Sequence, residues 1–354
     1  MFACMDMVRI GLVGYGIGGR AFHRPFILDA SGVELVGVVA RSADKRAQLA
    51  TDLPDVPVFD SLTALIAAGV DAVVITTPPS TRRDLVLEAV DAGIAVVADK
   101  PFAPDPATAR EIRAAALEAG VPVAPFHNRR WDTDLVTLRG VLDGGALGEV
   151  LRFESRFDLV ERAGIATGVG GGVLSDIGSH LVDQAVSLFG PIASVWASLD
   201  MRDARSLGRD QDGQIDAGFT LEATHRSGVV SRLTSNKAGF LAARRLRVDG
   251  VDGTYEASST DVQAQAAVAG RSPADDRAGW GVEPAGGTLT TESGTASVPS
   301  AQSSYTDYYE RFARAVRGEG TVPVSVDDAV HVVEVLDAAR RAAESGQVVE
   351  VPAA

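Results

Sequence analysis

The sequence has almost no cysteine, no surplus of basic charge and no apolar run long enough to span a membrane. Its single cysteine, Cys4, excludes an intrachain disulfide framework and a cysteine-rich metal site. The five histidines are scattered and form no zinc motif, so no metal is expected. The formal charge of -14 argues against a nonspecific nucleic-acid surface, though it leaves room for a local anion pocket. The start `MFACMDM` lacks a basic region followed by a secretion segment, and no membrane partner is expected. The expectation is a soluble cytoplasmic protein without internal repeats or a coiled coil.

What is present is a globular composition, 46% hydrophobic over 354 residues, which favours about two domains. The apolar run `VRIGLVG` from Val8 reads as a strand, and Gly14, Gly16 and Gly19 follow it as G-x-G-x-x-G, enclosing Ile17 and Gly18. Gly14 and Gly16 suit a tight turn and close backbone approach, and Gly19 suits helix-strand packing. Amides at the start of the next helix suit a pyrophosphate. After the second strand, `VELVGVVARS`, Arg41 and Ser42 stand where an acid would bind an NAD ribose. An arginine there neutralises a 2'-phosphate, so NADP(H) is the expected cofactor and NAD(H) the alternative; Asp44 lies close by.

Strand-helix alternation continues through `VDAVVITTPP`, with a helix from about Ser80 as its cap, and through `GIAVVADKP`, with a helix after Pro106. The pattern predicts a doubly wound Rossmann domain over residues 7–126. A second α+β domain over 127–354 is expected to hold an open, mainly antiparallel sheet, from `IASVWASLDM`, `DAGFTLEATH`, `VVSRLTSN` and `RLRVDG`. Residues 258–304 read as a loop-rich excursion, and `YTDYYERFARAVRG` from Tyr305 reads as a helix. The last apolar-periodic stretch is expected to pack back on the first domain.

Two further segments carry candidate chemistry. Lys100 follows a strand, just before Pro101, where its ammonium could stabilise a developing alkoxide. In `GGGVLSDIGSH`, Asp176 and His180 stand at i and i+4, one helix face if the segment is helical. Asp176 would orient His180 or a substrate hydroxyl, and His180 would transfer a proton; the bland alternative is a helix cap and a structural imidazole. In `HNRRWD`, Asn128 and Arg129 are candidate donors to a sugar and Arg130 to a phosphate, or one arginine pairs with Asp132 while Trp131 anchors the domain junction. His127 is a candidate pocket residue, and His23 reads as local structure beside the cradle.

With these segments in order, the chain resembles the glucose-fructose oxidoreductase, inositol dehydrogenase and rhizopine-catabolism (Gfo/Idh/MocA) family, especially its scyllo-inositol dehydrogenase branch. The resemblance rests on the glycine cradle, `DKP` at Asp99 to Pro101, `HNRRWD`, `SDIGSH`, `WGVEP` at Trp280 to Pro284 and `PVSVDDAVHVVEVLDAA` from Pro323. It covers most of the chain. The family usually has glutamate where the shorter Asp99 stands; both are acidic, so the departure can shift the loop geometry without erasing the role of Lys100. The resemblance implies a catalytic set of Lys100, Asp176 and His180, and cofactor contacts from Thr76, Thr77, Pro78, Asp99 and Lys100. It implies a cyclic polyol or sugar as substrate, inositol first, with Lys100, Asn128, Arg129, Asp176 and His180 lining its site. It also implies a homodimer or higher homo-oligomer through the second-domain sheet, which would cover an apolar face. Two alternatives stand beside it: a catalytically inactive NAD(P)-binding regulatory protein, and a reductase of an unrelated carbonyl or imine.

Overall fold

The computed structural model describes residues 7–168, 170–209 and 212–352, so Cys4 and the last two residues lie outside the described residues. The first sheet contains β1 (Val8–Val13), β2 (Val33–Val39), β3 (Val58–Phe59), β4 (Ala72–Ile75), β5 (Ala95–Ala98) and β6 (Val123–Pro125). All neighbours pair in parallel, in the order β3-β2-β1-β4-β5-β6. Every residue of β4 and β5 is buried, as expected of strands covered on both faces by helices. The order reverses between β1 and β4, which opens a crevice at the carboxyl ends of the strands.

Five helices connect these strands: α1 (Arg24–Asp29), α2 (Ala43–Asp52), α3 (Leu62–Ala67), α4 (Pro79–Asp91) and α5 (Pro106–Ala119). In α5 the Asp105 side chain accepts the Thr108 amide at 2.9 Å, Pro106 takes the first turn, and Gly120 ends the helix at φ +64°. The cap expected at Ser80 falls instead on Pro78, and Ser80 lies inside the first turn of α4. Proline at the first helical position needs no amide partner, which moves the start forward.

The second unit begins with α6 (Thr133–Asp143), β7 (Val150–Asp158) and α7 (Ser179–Phe189). Then come β8 (Ile192–Asp203), β9 (Gln214–His225), β10 (Val230–Asn236), β11 (Ala243–Gly250) and β12 (Gly253–Ser258). The chain ends with α8 (Val262–Val268), β13 (Gly287–Thr291), β14 (Gly294–Val298), α9 (Thr306–Val316), α10 (Val326–Ser345) and β15 (Val349–Glu350). The nine-stranded sheet runs β14-β13-β12-β11-β7-β10-β9-β8-β15, antiparallel except between β7 and β10. The expected loop-rich excursion over 258–304 is thus corrected: it contains α8 and the β13-β14 hairpin, which extends the sheet.

Helices cover one face of this sheet and leave the other open. On the open face Glu154, Arg156, Arg232, Arg245, Arg247 and Glu256 line a cavity of about 580 Å³, and the exposed Trp196 stands opposite Glu222 on the same face. Helix α10 joins the two units. Its Ala329, Val330 and Val333 enter the core of the first sheet, while Val335, Leu336 and Ala339 enter that of the second. Tyr305, Tyr308, Tyr309 and Phe312, at and within α9, pack against the first sheet, and Trp280 stacks on Phe26 at 5.7 Å. Among the described residues no helix is long and apolar enough to cross a membrane.

Candidate active site

The glycine cradle turns out of β1 into a π-helical turn over Gly18–His23 that leads directly into α1. Gly14 sits at φ +106°, and a Cβ at Gly19 would lie 2.4 Å from the Gly14 carbonyl, so only glycine allows the turn to close. A Cβ at Gly18 would lie 2.4 Å from the Thr76 hydroxyl oxygen. At Gly16 a Cβ would meet nothing, because that position faces open space, as does the exposed Ile17.

That space is a cavity of about 660 Å³ lined by Gly14, Gly16, Arg41, Ser42, Thr76, Thr77, Pro78 and residues around them. Its volume and its glycine floor fit a dinucleotide. Arg41 stands exposed at its rim with no ion pair among the described residues, and Lys45, one turn into α2, lines the same rim. The Ser42 side chain accepts the Lys45 amide at 3.4 Å and caps α2. Thr77 and Pro78 offer carbonyls to Arg82 and Thr81 respectively, which fixes the lip between β4 and α4.

Asp99 lies where the cradle meets the inner end of the crevice. It accepts the Thr76 hydroxyl at 2.8 Å and the Lys100 amide at 2.7 Å, and the His23 ring lies 3.5 Å away. Burial works to raise the carboxyl, but His23, Arg82 and Lys100 outweigh it and hold the group well below the usual carboxylate range. His23 is fully buried, 2.5 Å from the Tyr309 hydroxyl, in the structural position expected of it.

Lys100 reaches across the crevice to the second unit. Its ammonium pairs with Asp176 Oδ1. The other oxygen, Oδ2, accepts from Lys237 at 2.8 Å, and Lys237 also pairs with Glu161 at 2.7 Å. Burial opposes ionisation of Asp176, but the two lysines prevail and hold it well below the usual range. Asp176 lies in a π-helical turn over Leu174–Gly178, so the α-helical i, i+4 geometry assumed for it does not apply. The expected orientation of His180 by Asp176 is corrected accordingly: no hydrogen bond joins them among the described residues. Among the described residues His180 Nδ1 has no hydrogen-bond partner. Burial first, then the charges of Lys100 and Arg129, push the imidazole well below its ordinary value, so it is neutral near pH 7.

The glycines before this turn have a specific cause. Gly170 and Gly172 take φ +74° and +89°, and a Cβ on Gly172 would lie 1.7 Å from Asp216 Oδ1. Asp216, on β9, accepts the Leu174 amide at 2.6 Å and so caps the turn from another element. Burial pushes its carboxyl up to about 6, against the pull of the Leu174 amide.

Arg129, a candidate donor to substrate, is engaged within the protein, in the pairing with Asp132 that the sequence also offered. Its guanidinium is held by Asp132 at 3.1 Å and Asp261 at 2.7 Å, in a buried network that includes Arg244 and Asp134. Arg130 pairs with Asp183 at 2.6 Å and Asp328 at 2.9 Å, which removes it from phosphate binding. Trp131 is buried against Tyr308, and Asn128 is buried in the 3-10 turn before it. His127 is 1% exposed and, among the described residues, neither ring nitrogen has a hydrogen-bond partner, Nδ1 lying 3.9 Å from Asp183; burial lowers its pKa. The residues missed from sequence are Lys237, Glu161, Asp216 and Lys45. Lys237 had a signal: Ser231, Leu233 and Ser235 are the inward positions of β10, and Lys237 continues that register.

Residues 8–127 match the family profile described as "Oxidoreductase family, NAD-binding Rossmann fold", and residues 139–351 match "Oxidoreductase family, C-terminal alpha/beta domain". The chain is 33% identical over 343 residues to the uncharacterized oxidoreductase YdgJ of Escherichia coli, covering 94% of this chain and 95% of that protein. It is 28% identical over 353 residues to the scyllo-inositol 2-dehydrogenase (NADP(+)) IolW of Bacillus subtilis, covering 95% and 93%. A Klebsiella pneumoniae protein of solved structure superposes with a TM-score of 0.86 at 32% identity, covering 99% of this chain and 96% of that one. With an intact glycine cradle, a doubly wound first domain and both family profiles matched in order, the chain belongs to the Gfo/Idh/MocA family of NAD(P)-binding oxidoreductases.

Proposed function

We propose that the protein interconverts an alcohol and a carbonyl on a cyclic polyol or sugar, with NADP(H) as the preferred cofactor and an inositol as the first substrate to test. The observation that carries this reading is the Lys100–Asp176 ion pair, which spans the crevice, together with a buried His180 whose imidazole feels the charge of Lys100 and is held neutral. Gly14, Gly16, Ile17, Gly18, Gly19, Thr76, Thr77 and Pro78 would hold the dinucleotide, with Arg41, Ser42 and Lys45 at the 2'-phosphate. Nicotinamide, once bound, gives or takes the hydride.

The chain's own residues manage the oxygen and its proton. The Lys100 ammonium donates to the reacting oxygen and stabilises it as negative charge develops. Neutral His180 accepts the hydroxyl proton in oxidation, and the imidazolium returns it in reduction. Asp176, tied to Lys100, fixes where that ammonium points. The NADP preference is supported by the exposed, unpaired Arg41 and by the cofactor in the name of the Bacillus subtilis relative.

The open, charged sheet face supports a homodimer, since interspersed arginines and glutamates allow the face to complement itself. A monomeric mass by light scattering at all concentrations would reject that part. The function itself is tested by assaying purified protein against cyclic polyols, aldoses and unrelated carbonyls with both cofactors. Turnover of polyols or sugars is expected; turnover of only an unrelated carbonyl or imine would overturn the substrate class. Cofactor binding without any turnover would favour a regulatory protein.

A further inference from the structure

Lys237 is used by nothing in the chemistry above, yet it is almost fully buried, at 4% exposure, directly after β10. Lysine is seldom buried to this extent unless its charge is paired, and here both partners are acidic. The Lys237 amide donates to the Ala217 carbonyl at 2.9 Å, so its backbone is pinned to β9. The side chain then reaches Asp176 at 2.8 Å and Glu161 at 2.7 Å. From rim to centre the charges alternate: Glu161, Lys237, Asp176, Lys100.

We infer that Lys237 is a positioning residue of this site, which grips one carboxylate oxygen of Asp176 so that Lys100 spends one donor on the other, a second at 3.4 Å on the Asp176 carbonyl, and keeps its third for the reacting oxygen. The inference rests on the oxidoreductase reading above. An ammonium has three N–H donors. With Lys237 in place, Asp176 presents Oδ1 to Lys100 and Oδ2 to Lys237, and the plane of the carboxylate is fixed at two points. Without Lys237, the second oxygen lies partly buried with no cationic partner. The carboxylate then turns both oxygens toward Lys100 and occupies the donor the substrate needs.

The other charged groups around Asp176 do not duplicate this grip. His180 makes no hydrogen bond to it, and Arg340 on α10 is directed to the Ser175 hydroxyl at 2.6 Å. Asp216 on β9 faces the Leu174 amide, and Glu161 reaches Asp176 only through Lys237. His127 faces Asp183 at 3.9 Å.

The test compares wild type, Lys237→Met and Lys237→Arg in the reductive direction, on the ketone of a polyol the wild type oxidises; there His180 must be protonated, so the loss of activity at low pH reports Asp176 and not His180. With one of its two cations removed, Asp176 takes up a proton at higher pH, so the acid limb of kcat/KM moves up by about one pH unit or more in Lys237→Met. Lys237→Arg restores the limb, and kcat falls in Lys237→Met while NADPH affinity holds, because Lys237 lies outside the dinucleotide cavity. An unmoved limb in Lys237→Met, or an arginine variant no better than methionine, overturns the inference.

If Lys237→Met does not fold, Glu161→Gln carries the test in the opposite direction: Lys237 then serves Asp176 alone and the limb moves down. A limb that stays or rises overturns the inference. If the wild type oxidises no polyol, the functional reading fails separately, and thermal unfolding against pH decides about Lys237. A depressed carboxylate contributes stability above its unfolded value that is lost as pH falls through its folded value. Lys237→Met should lose that stability at higher pH than wild type, and the difference should vanish in an Asp176→Asn background; a difference that persists there overturns the inference.

Discussion

Replacing Gly172 by alanine tests how the turn that carries Asp176 is held. Two costs are legible at this position. The backbone sits at φ +89°, and a side chain in that region costs roughly 1–2 kcal/mol. The added Cβ would lie 1.7 Å from Asp216 Oδ1, so the carboxylate must leave. Its hydrogen bond to the Leu174 amide is then lost, and a bond to a charged group contributes about 1.5–3 kcal/mol. Together the loss is about 2.5–5 kcal/mol, a large part of the roughly 5–15 kcal/mol typical of folded domains. Gly170→Ala is the control, because its φ is +74° but the nearest atom is Pro79 Cβ at 3.8 Å. It should cost only about 1–2 kcal/mol. Urea unfolding gives the stabilities, and kcat should fall by about 100-fold in Gly172→Ala, as for a reacting group displaced by an ångström. NADPH affinity should hold in both variants, since the glycine cradle is in the other domain. If Gly172→Ala loses no more stability than Gly170→Ala, the contact with Asp216 does not determine the turn.

Asp216 itself gives a pH prediction. An acid whose pKa is raised on folding contributes stability that is present below its unfolded value and lost as pH rises through the folded value, here about 6. Asp216→Asn keeps an oxygen for the Leu174 amide and does not titrate. It should gain on wild type by up to about 3 kcal/mol as pH rises through this window, measured by urea unfolding at its two ends; a difference independent of pH would contradict the assignment. Arg41→Ala should weaken NADPH binding by about tenfold, the equivalent of about 1.4 kcal/mol, and leave NADH nearly unchanged. Titration calorimetry checks this, and an equal loss for both cofactors would remove Arg41 from the 2'-phosphate.

Much of the fold was legible because its signals are local. The glycine cradle, the apolar strands and the proline and glycine punctuation of α5 each act within a few residues. The nine-stranded sheet was visible in β8 to β11 through their alternation, whereas β13 and β14 are short, β14 is mostly exposed, and neither shows that pattern. Lys100, Asp176 and His180 were visible as residues, but their arrangement was not. The i, i+4 spacing presumes an α-helix, and the π-helical turn changes which side chains meet. The Arg129–Asp132 pair is local and was one of the alternatives the sequence offered, but Asp261, Asp183 and Asp328 lie 53 to 198 residues from the arginines they hold, and no local pattern showed them. Asp216 and Glu161 act through a cap and an ion pair that only the tertiary fold assembles.

The most direct test of the account is oxidation of cyclic polyols with NADP by wild type, His180→Ala and Lys100→Ala, with NADPH affinity measured on each protein. The account predicts wild-type turnover, a kcat reduced by about 100-fold or more in both variants, and NADPH binding retained at least in His180→Ala. Wild-type turnover in His180→Ala with cofactor bound normally would contradict it, as would undiminished turnover in Lys100→Ala.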